Sequence, residues 1–238
     1  MAATIQIGEI HADVVHKDIK NIHLSVYPPV GAVRISAPLQ MDLDTIRVFA
    51  LSKLGWIRSQ QKKLREQPRE TPRQYVNRES HYFLGERYLL KVEERDAPVR
   101  VRKAGSKLVL QVRPGMSAEK RAEVMDAWYR HELKQLLYPL VTRWQDKVGV
   151  QASRVLVQRM KTKWGSCSPS TGVVRVNLEL AKKPPECLEY IVVHELMHLV
   201  EPTHNAGFTA LMDRHLPRWR HCREELNRLP VRHEEWSW

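Results

Sequence analysis

The sequence predicts an α+β fold with its strands gathered towards the N-terminus, and three observations carry that prediction. Apolar and polar residues alternate through much of the first third, the period of a half-buried strand. In two long segments, residues 42–63 and 117–148, apolar residues instead recur at three- and four-residue spacings, the period of a helix packed on one side. Hydrophobic residues make up 42% of the 238 and charged residues 28%, enough apolar surface for a core and too much for wholesale disorder.

The elements follow in order. Ile22, Leu24 and Val26 alternate, as do Val33 and Ile35, with Pro28-Pro29-Val30-Gly31 as the turn between them and Pro38 closing the unit. Leu43, Ile46, Phe49, Ala50, Leu54 and Ile57 give the first helical stretch. Residues 62–80 lose apolar periodicity and carry two prolines, so they read as a solvated connection and the weakest internal point of the chain. Further strands are expected at residues 82–84, 88–92, 99–102 and 107–112, with Gly105-Ser106 as a hairpin turn.

Ser117 is placed to cap a long helix whose apolar stripe reads Val124, Trp128, Leu136, Leu140, Trp144 and Val148. Pro139 is expected to kink that helix and Gly149 to end it. Strands are predicted at residues 154–160 and 173–180, with residues 161–172 as a loop between them. Val174, Val176, Leu178 and Leu180 share one face of the second, which suggests a sheet edge free to pair with an extended substrate. Pro184-Pro185-Glu186 opens a helix through Val200, with prolines and an acid where a first turn tolerates them. No internal repeat or low-complexity tract appears. The chain is read as two parts, a strand-rich basic part over residues 1–115 and a second domain over residues 116–238.

Composition narrows the function classes. No apolar run approaches the ~20 residues of a membrane helix, and the first twenty residues lack the cationic and apolar regions of a secretory signal. Three cysteines without a CxxC pair give neither a disulfide framework nor a thiolate zinc site. A cytoplasmic protein without membrane association is expected. Net charge is +12, and residues 1–115 hold 20 basic and 12 acidic side chains against 19 and 15 in residues 116–238. That excess favours an anionic partner. Nucleic acid is a candidate through the cationic run at residues 53–73, although no helix-turn-helix, zinc-finger or RRM signature accompanies it.

The last predicted helix carries His194-Glu195-Leu196-Met197-His198, an HExxH motif. Residues four apart lie on one helix face, so both imidazoles can hold a single Zn²⁺ while Glu195, one step round, can act as general base. His204, six residues past His198, is the third candidate ligand. Pro202 disfavours helix at Glu201, so the chain is expected to turn there and bring His204 back. Glu201 stands where the metzincin pattern has glycine, so this is not read as a metzincin. A chain of this composition holds about 0.04 HExxH matches by chance, and a third histidine at fixed offset lowers that roughly twentyfold. Cys167 is read as a small, partly buried turn residue rather than a thiolate ligand, and Trp164 as cleft wall or core. His215 and His221 are spare ligand candidates, His215 by default a helix cap. Arg159, Lys161, Lys163 and Tyr190 are candidates for oxyanion stabilisation, with no choice among them.

Trp164-Gly165-Ser166-Cys167, the strand after it, His194-Glu195-Leu196-Met197-His198-Leu199, His204 and Phe208 together resemble the YgjP-like family of predicted zinc metallopeptidases, relatives of the small SprT and WLM metallopeptidases. The resemblance spans most of the chain, and its specific motifs lie in the second half. It implies a zincin-like domain with the HExxH helix under a small sheet, His194, His198 and His204 as zinc ligands, Glu195 as catalytic base, and a peptide or protein as substrate. Two alternatives stand beside it: a metal-dependent hydrolase of a non-peptide amide or ester, and a nucleic-acid-associated protease. The sequence does not read out the oligomeric state.

Overall fold

The computed structural model describes residues 2–27, 31–66, 73–160 and 163–229. The Pro28-Pro29-Val30 part of the first turn, residues 67–72 of the connection, and Lys161 lie outside them. The fold is mixed α and β, as the sequence predicts. The chain divides into two compact units, the first division falling between residues 69 and 70, within the connection.

In the first unit, β1 (Ala2–Ile7) and β2 (Ile10–Lys17) form a hairpin. With β3 (His23–Tyr27) and β4 (Ala32–Pro38) they make a sheet of order β1-β2-β4-β3, parallel only at β2–β4. The pleat sends Ile5, Ile7, Ala12, Val14, Val33, Ile35 and Ala37 into one buried cluster. Ile46 and Ala50 of α1 (Leu43–Ser52) and Ile57 of α2 (Leu54–Glu66) complete that cluster. The single helix expected over residues 42–63 is thus two. Asp42 caps the first, and Lys53 ends it by turning its N–H back to the Ala50 carbonyl.

The second unit opens with β5 (Ser80–Phe83), β6 (Glu86–Glu94), β7 (Arg100–Ala104) and β8 (Lys107–Val112), in the order β5-β6-β8-β7 with β6 and β8 parallel. This repeats the topology of the first sheet, although no sequence repeat announces it. Phe83, Leu90, Leu108, Leu110 and Val112 share one core with the long helix α3 (Ala118–Val148) and with α4 (Pro185–Met197), and the Tyr129 hydroxyl donates to the Tyr82 carbonyl at 2.8 Å. A boundary at residue 115 would therefore cut through a single core.

α3 begins at Ser117, whose side chain caps Lys120 N, and ends at Gly149 with φ of 77°. It runs through Pro139 as one helix. Its buried face is Met125, Tyr129, Leu133, Leu137, Val141 and Trp144, one position round from the stripe read from sequence, of which only Trp144 is in the core. Apolar residues occupy both neighbouring stripes, so spacing alone does not select the face.

Three strands form the sheet beside α4: β9 (Arg154–Gln158), β10 (Gly165–Ser168) and β11 (Val173–Asn177), in the order β10-β11-β9. The expected free edge at residues 173–180 is corrected in two ways. The strand ends at Asn177, where Leu178–Lys182 form a 3₁₀ turn, and it is the central strand, paired on both sides. The edge strands are β9 and β10, and β10 lies in the segment read as loop, because Gly-Ser-Cys-Ser offers no apolar alternation to detect. The described residues finish with α5 (Ala206–His215) and α6 (Trp219–Arg228). Among the described residues no helix is long and apolar enough to cross a membrane.

Candidate metal centre

α4 is buried along most of its length. Pro185 starts it, Glu186 sits in its first turn, and Leu188, Ile191, Val192 and Leu196 lock it into the core of the second unit. It stops at Met197, earlier than the sequence suggests, and His198 is its C-cap. Hydrogen bonds then build the return. The Glu201 N–H donates to the Met197 carbonyl at 2.8 Å, and the Glu201 carboxylate accepts from Thr203 N–H and Oγ at 3.2 and 2.9 Å. Those bonds hold the Glu201 carboxyl below its usual range. Asn205 accepts from the Phe208 N–H at 2.9 Å and starts α5. No described residue of this turn has a positive φ, so it needs no glycine where the metzincin pattern has one.

The result brings His194, His198 and His204 together, with one ligand nitrogen of each inside a 4.8 Å cluster. The Nε2 atoms of His194 and His204 face each other at 3.0 Å, and His198 Nδ1 lies 3.2 Å from the Glu201 carbonyl, which fixes its ring. Phe208 is packed among all three rings, stacked on His198 at 4.7 Å and edge-on to His194 and His204 at 5.0 and 4.8 Å. His194 Nδ1 is buried with no partner, and burial holds the His194 imidazole down to about 3. A neutral imidazole offers the lone pair that a metal needs. Three imidazole nitrogens converging on one point, open to solvent on the His204 side, suit a borderline divalent cation.

Glu195 follows His194 but points to another side of α4 and is buried, which raises its carboxyl to about 7 against a small opposing pull from Lys163. Cys167, on β10, is outside the histidine cluster. Burial and the Glu195 charge push its thiol up to about 11. Trp164 packs against the core with Lys183 Nζ 5.7 Å from its ring centre. His215 ends α5, and its carbonyl accepts from Lys147. Of the oxyanion candidates, Arg159 is paired with Asp126, and Tyr190 is buried with its ring stacked on Trp219 and edge-on to His194. Lys163 is exposed.

Two contributors are given no role by the sequence. Phe208 enters the sequence reading only as a residue of the family pattern, and it gains its place among the three histidines only once the turn has folded. Asn177 reads as one more strand residue, yet its buried amide donates to the carbonyls of Met160 and Lys163 at 2.8 and 2.7 Å, which anchors the start of β10.

The family model of the YgjP-like metallopeptidase domain matches residues 20–229. Among solved structures, the metallopeptidase zymogen of Pyrococcus abyssi abylysin is similar at 22% identity and a TM-score of 0.36, covering 38% of this chain and 90% of that one. The zymogen of Methanocaldococcus jannaschii jannalysin is similar at 21% identity and a TM-score of 0.35, covering 38% and 92%. No curated protein matches the chain.

Proposed function

The chain belongs to the YgjP-like family of metallopeptidases, and from that premise we propose that it holds one zinc ion on His194, His198 and His204 and hydrolyses peptide bonds with Glu195 as general base. The observation that carries this reading is the convergence of three imidazole nitrogens within 4.8 Å on a helix that also bears a buried carboxyl. Zinc, when bound, supplies Lewis-acid polarisation and acidifies water. Glu195 takes the proton of the attacking water on a carboxylate oxygen and passes it to the departing amine nitrogen. Lys163 is the described oxyanion candidate with neither an ion pair nor a buried ring around it, and it lends positive charge at the mouth of the site. An extended peptide lies along β10, whose outer edge has no strand partner among the described residues.

Hydrolysis of fluorescein-labelled casein, compared with an aryl ester and an acylated amine, tests the reading. Peptide cleavage is expected, lost on removal of metal by a chelator and restored by zinc. Ester or amide hydrolysis without peptide cleavage would favour the non-peptide hydrolase instead.

A second reading, a nucleic-acid-associated protease, rests on one feature of the first unit. Arg58, Lys62 and Arg65 lie along one side of α2 and line a groove of about 640 Å³ with His11, Gln61 and one acid, Glu9. Lys62 has Glu66 at 3.8 Å, whereas Arg58 and Arg65 have no carboxylate partner among the described residues. Seven residues of helix separate those two by about 10 Å, so the charges form a row suited to a polyanion.

A further inference from the structure

We propose that Gly165 is a positioning residue for Glu195: by carrying no side chain, it lets the edge strand β10 lie on the carboxylate and hold it in place. The inference rests on the reading of Glu195 as the base. A Cβ added at Gly165 would stand 2.6 Å from Glu195 Oε1, 2.8 Å from Glu195 Cγ and 2.8 Å from Ile191 Cγ2. All three are closer than side-chain carbons approach. Backbone freedom is not the reason for glycine here, because Gly165 is not among the residues with positive φ. The requirement is space.

Glu195 needs such a brace. Among the described residues its carboxylate has neither a hydrogen bond nor an ion pair, so packing has to set its orientation. Ile191 lies one turn earlier on α4, and Gly165 closes the other side. The strand itself has little room to retreat. Gly165 pairs with Val176 of the central strand, the Asn177 N–H donates to the Trp164 carbonyl at 2.9 Å, and the Asn177 amide donates to the Lys163 carbonyl at 2.7 Å. α4 is equally fixed by its buried neighbours. Of the two side chains that a methyl group at position 165 meets, buried β-branched Ile191 is stiff, so the longer, unbranched Glu195 side chain is the one displaced.

The test is the crystal structure of the full-length Gly165→Ala variant beside that of the parent, with zinc content and casein hydrolysis measured on both. The expected variant is folded, holds as much zinc as the parent, and shows the Glu195 carboxylate moved away from residue 165. Its kcat falls about 100-fold with KM little changed, the scale of loss for a misplaced catalytic group. In a Glu195→Gln background the same substitution adds no further loss. A Glu195 side chain unmoved in the variant structure would overturn the proposal, whatever the activity. If the parent cleaves no peptide, the peptidase reading fails while the crystallographic comparison still decides the position of Glu195. Should Gly165→Ala not fold, Gly165→Ala is added to a folded Glu195→Ala, Ile191→Leu chain, which lacks all three atoms that the methyl group would meet. Recovery of folding supports the contact, and failure to recover contradicts it.

Discussion

Glu195 and His194 are neighbours in the chain, yet the helix gives them different work: one carboxyl buried against β10, one imidazole turned towards two others. Replacing Glu195 by glutamine keeps the shape and removes the proton acceptor. Zinc content is expected to match the parent, and casein hydrolysis to fall about 10²–10⁴-fold; comparable turnover by the two would remove Glu195 from the mechanism. The histidines and Glu195 were legible because a helix converts spacing in sequence into spacing in space, with no other part of the fold involved. His204 needed only the turn that Pro202 signals. Phe208 and Gly165 stand in the sequence only as residues of the family pattern and Asn177 only as a strand residue; what each of them does was not legible. Each acts through a surface brought from elsewhere in the chain: the three imidazoles, the carbonyls of Met160 and Lys163, and the flank of α4.

At the scale of elements, strands and helices were readable where one face is apolar and the other polar, and misread where that contrast fails. β10 is small and polar, so it read as loop, and its true partner β11 read as an edge. α3 carries apolar residues on two adjacent stripes, and the choice between them is made by the sheet and by α4, which pack on Leu133 and Leu137 rather than on Leu136. A pair of substitutions separates the two faces. Leu133→Ala, at a fully buried position, is expected to cost about 2–5 kcal/mol. Leu136→Ala, at a position 39% exposed, is expected to change stability by about 0.5 kcal/mol or less. Urea denaturation of the full chain reads both; equal losses would mean that the packed face is wrongly assigned. The repeated strand order of the two four-stranded sheets belongs here too. Topology can recur while side chains diverge, because strand pairing is made by backbone groups and asks of the side chains only an inward apolar row.

Over the whole molecule, charge and chemistry are carried by different parts of the chain. The histidine cluster lies beyond residue 190, while the row of Arg58, Lys62 and Arg65 belongs to the first unit. If that row meets a nucleic-acid backbone, binding of the full-length protein to single-stranded or duplex DNA is expected to weaken steeply between low and moderate salt, because displaced counterions drive such contacts. Charge reversal at Arg58 and Arg65 together is expected to abolish it and to leave casein hydrolysis unchanged. Polyglutamate binding as tightly as DNA would point to an acidic protein partner, and no binding to either at low salt would leave the charge as a solubility feature.

The central claim, a zinc ion on three histidines of which one comes from beyond the helix, is tested most directly by elemental analysis of the purified protein beside its His204→Ala variant. One zinc per chain is expected in the parent, with most of it lost from the variant after the same dialysis, since two imidazoles alone make an incomplete site. A variant that keeps a full equivalent of zinc, or a parent that holds none after dialysis against zinc, would contradict the assignment.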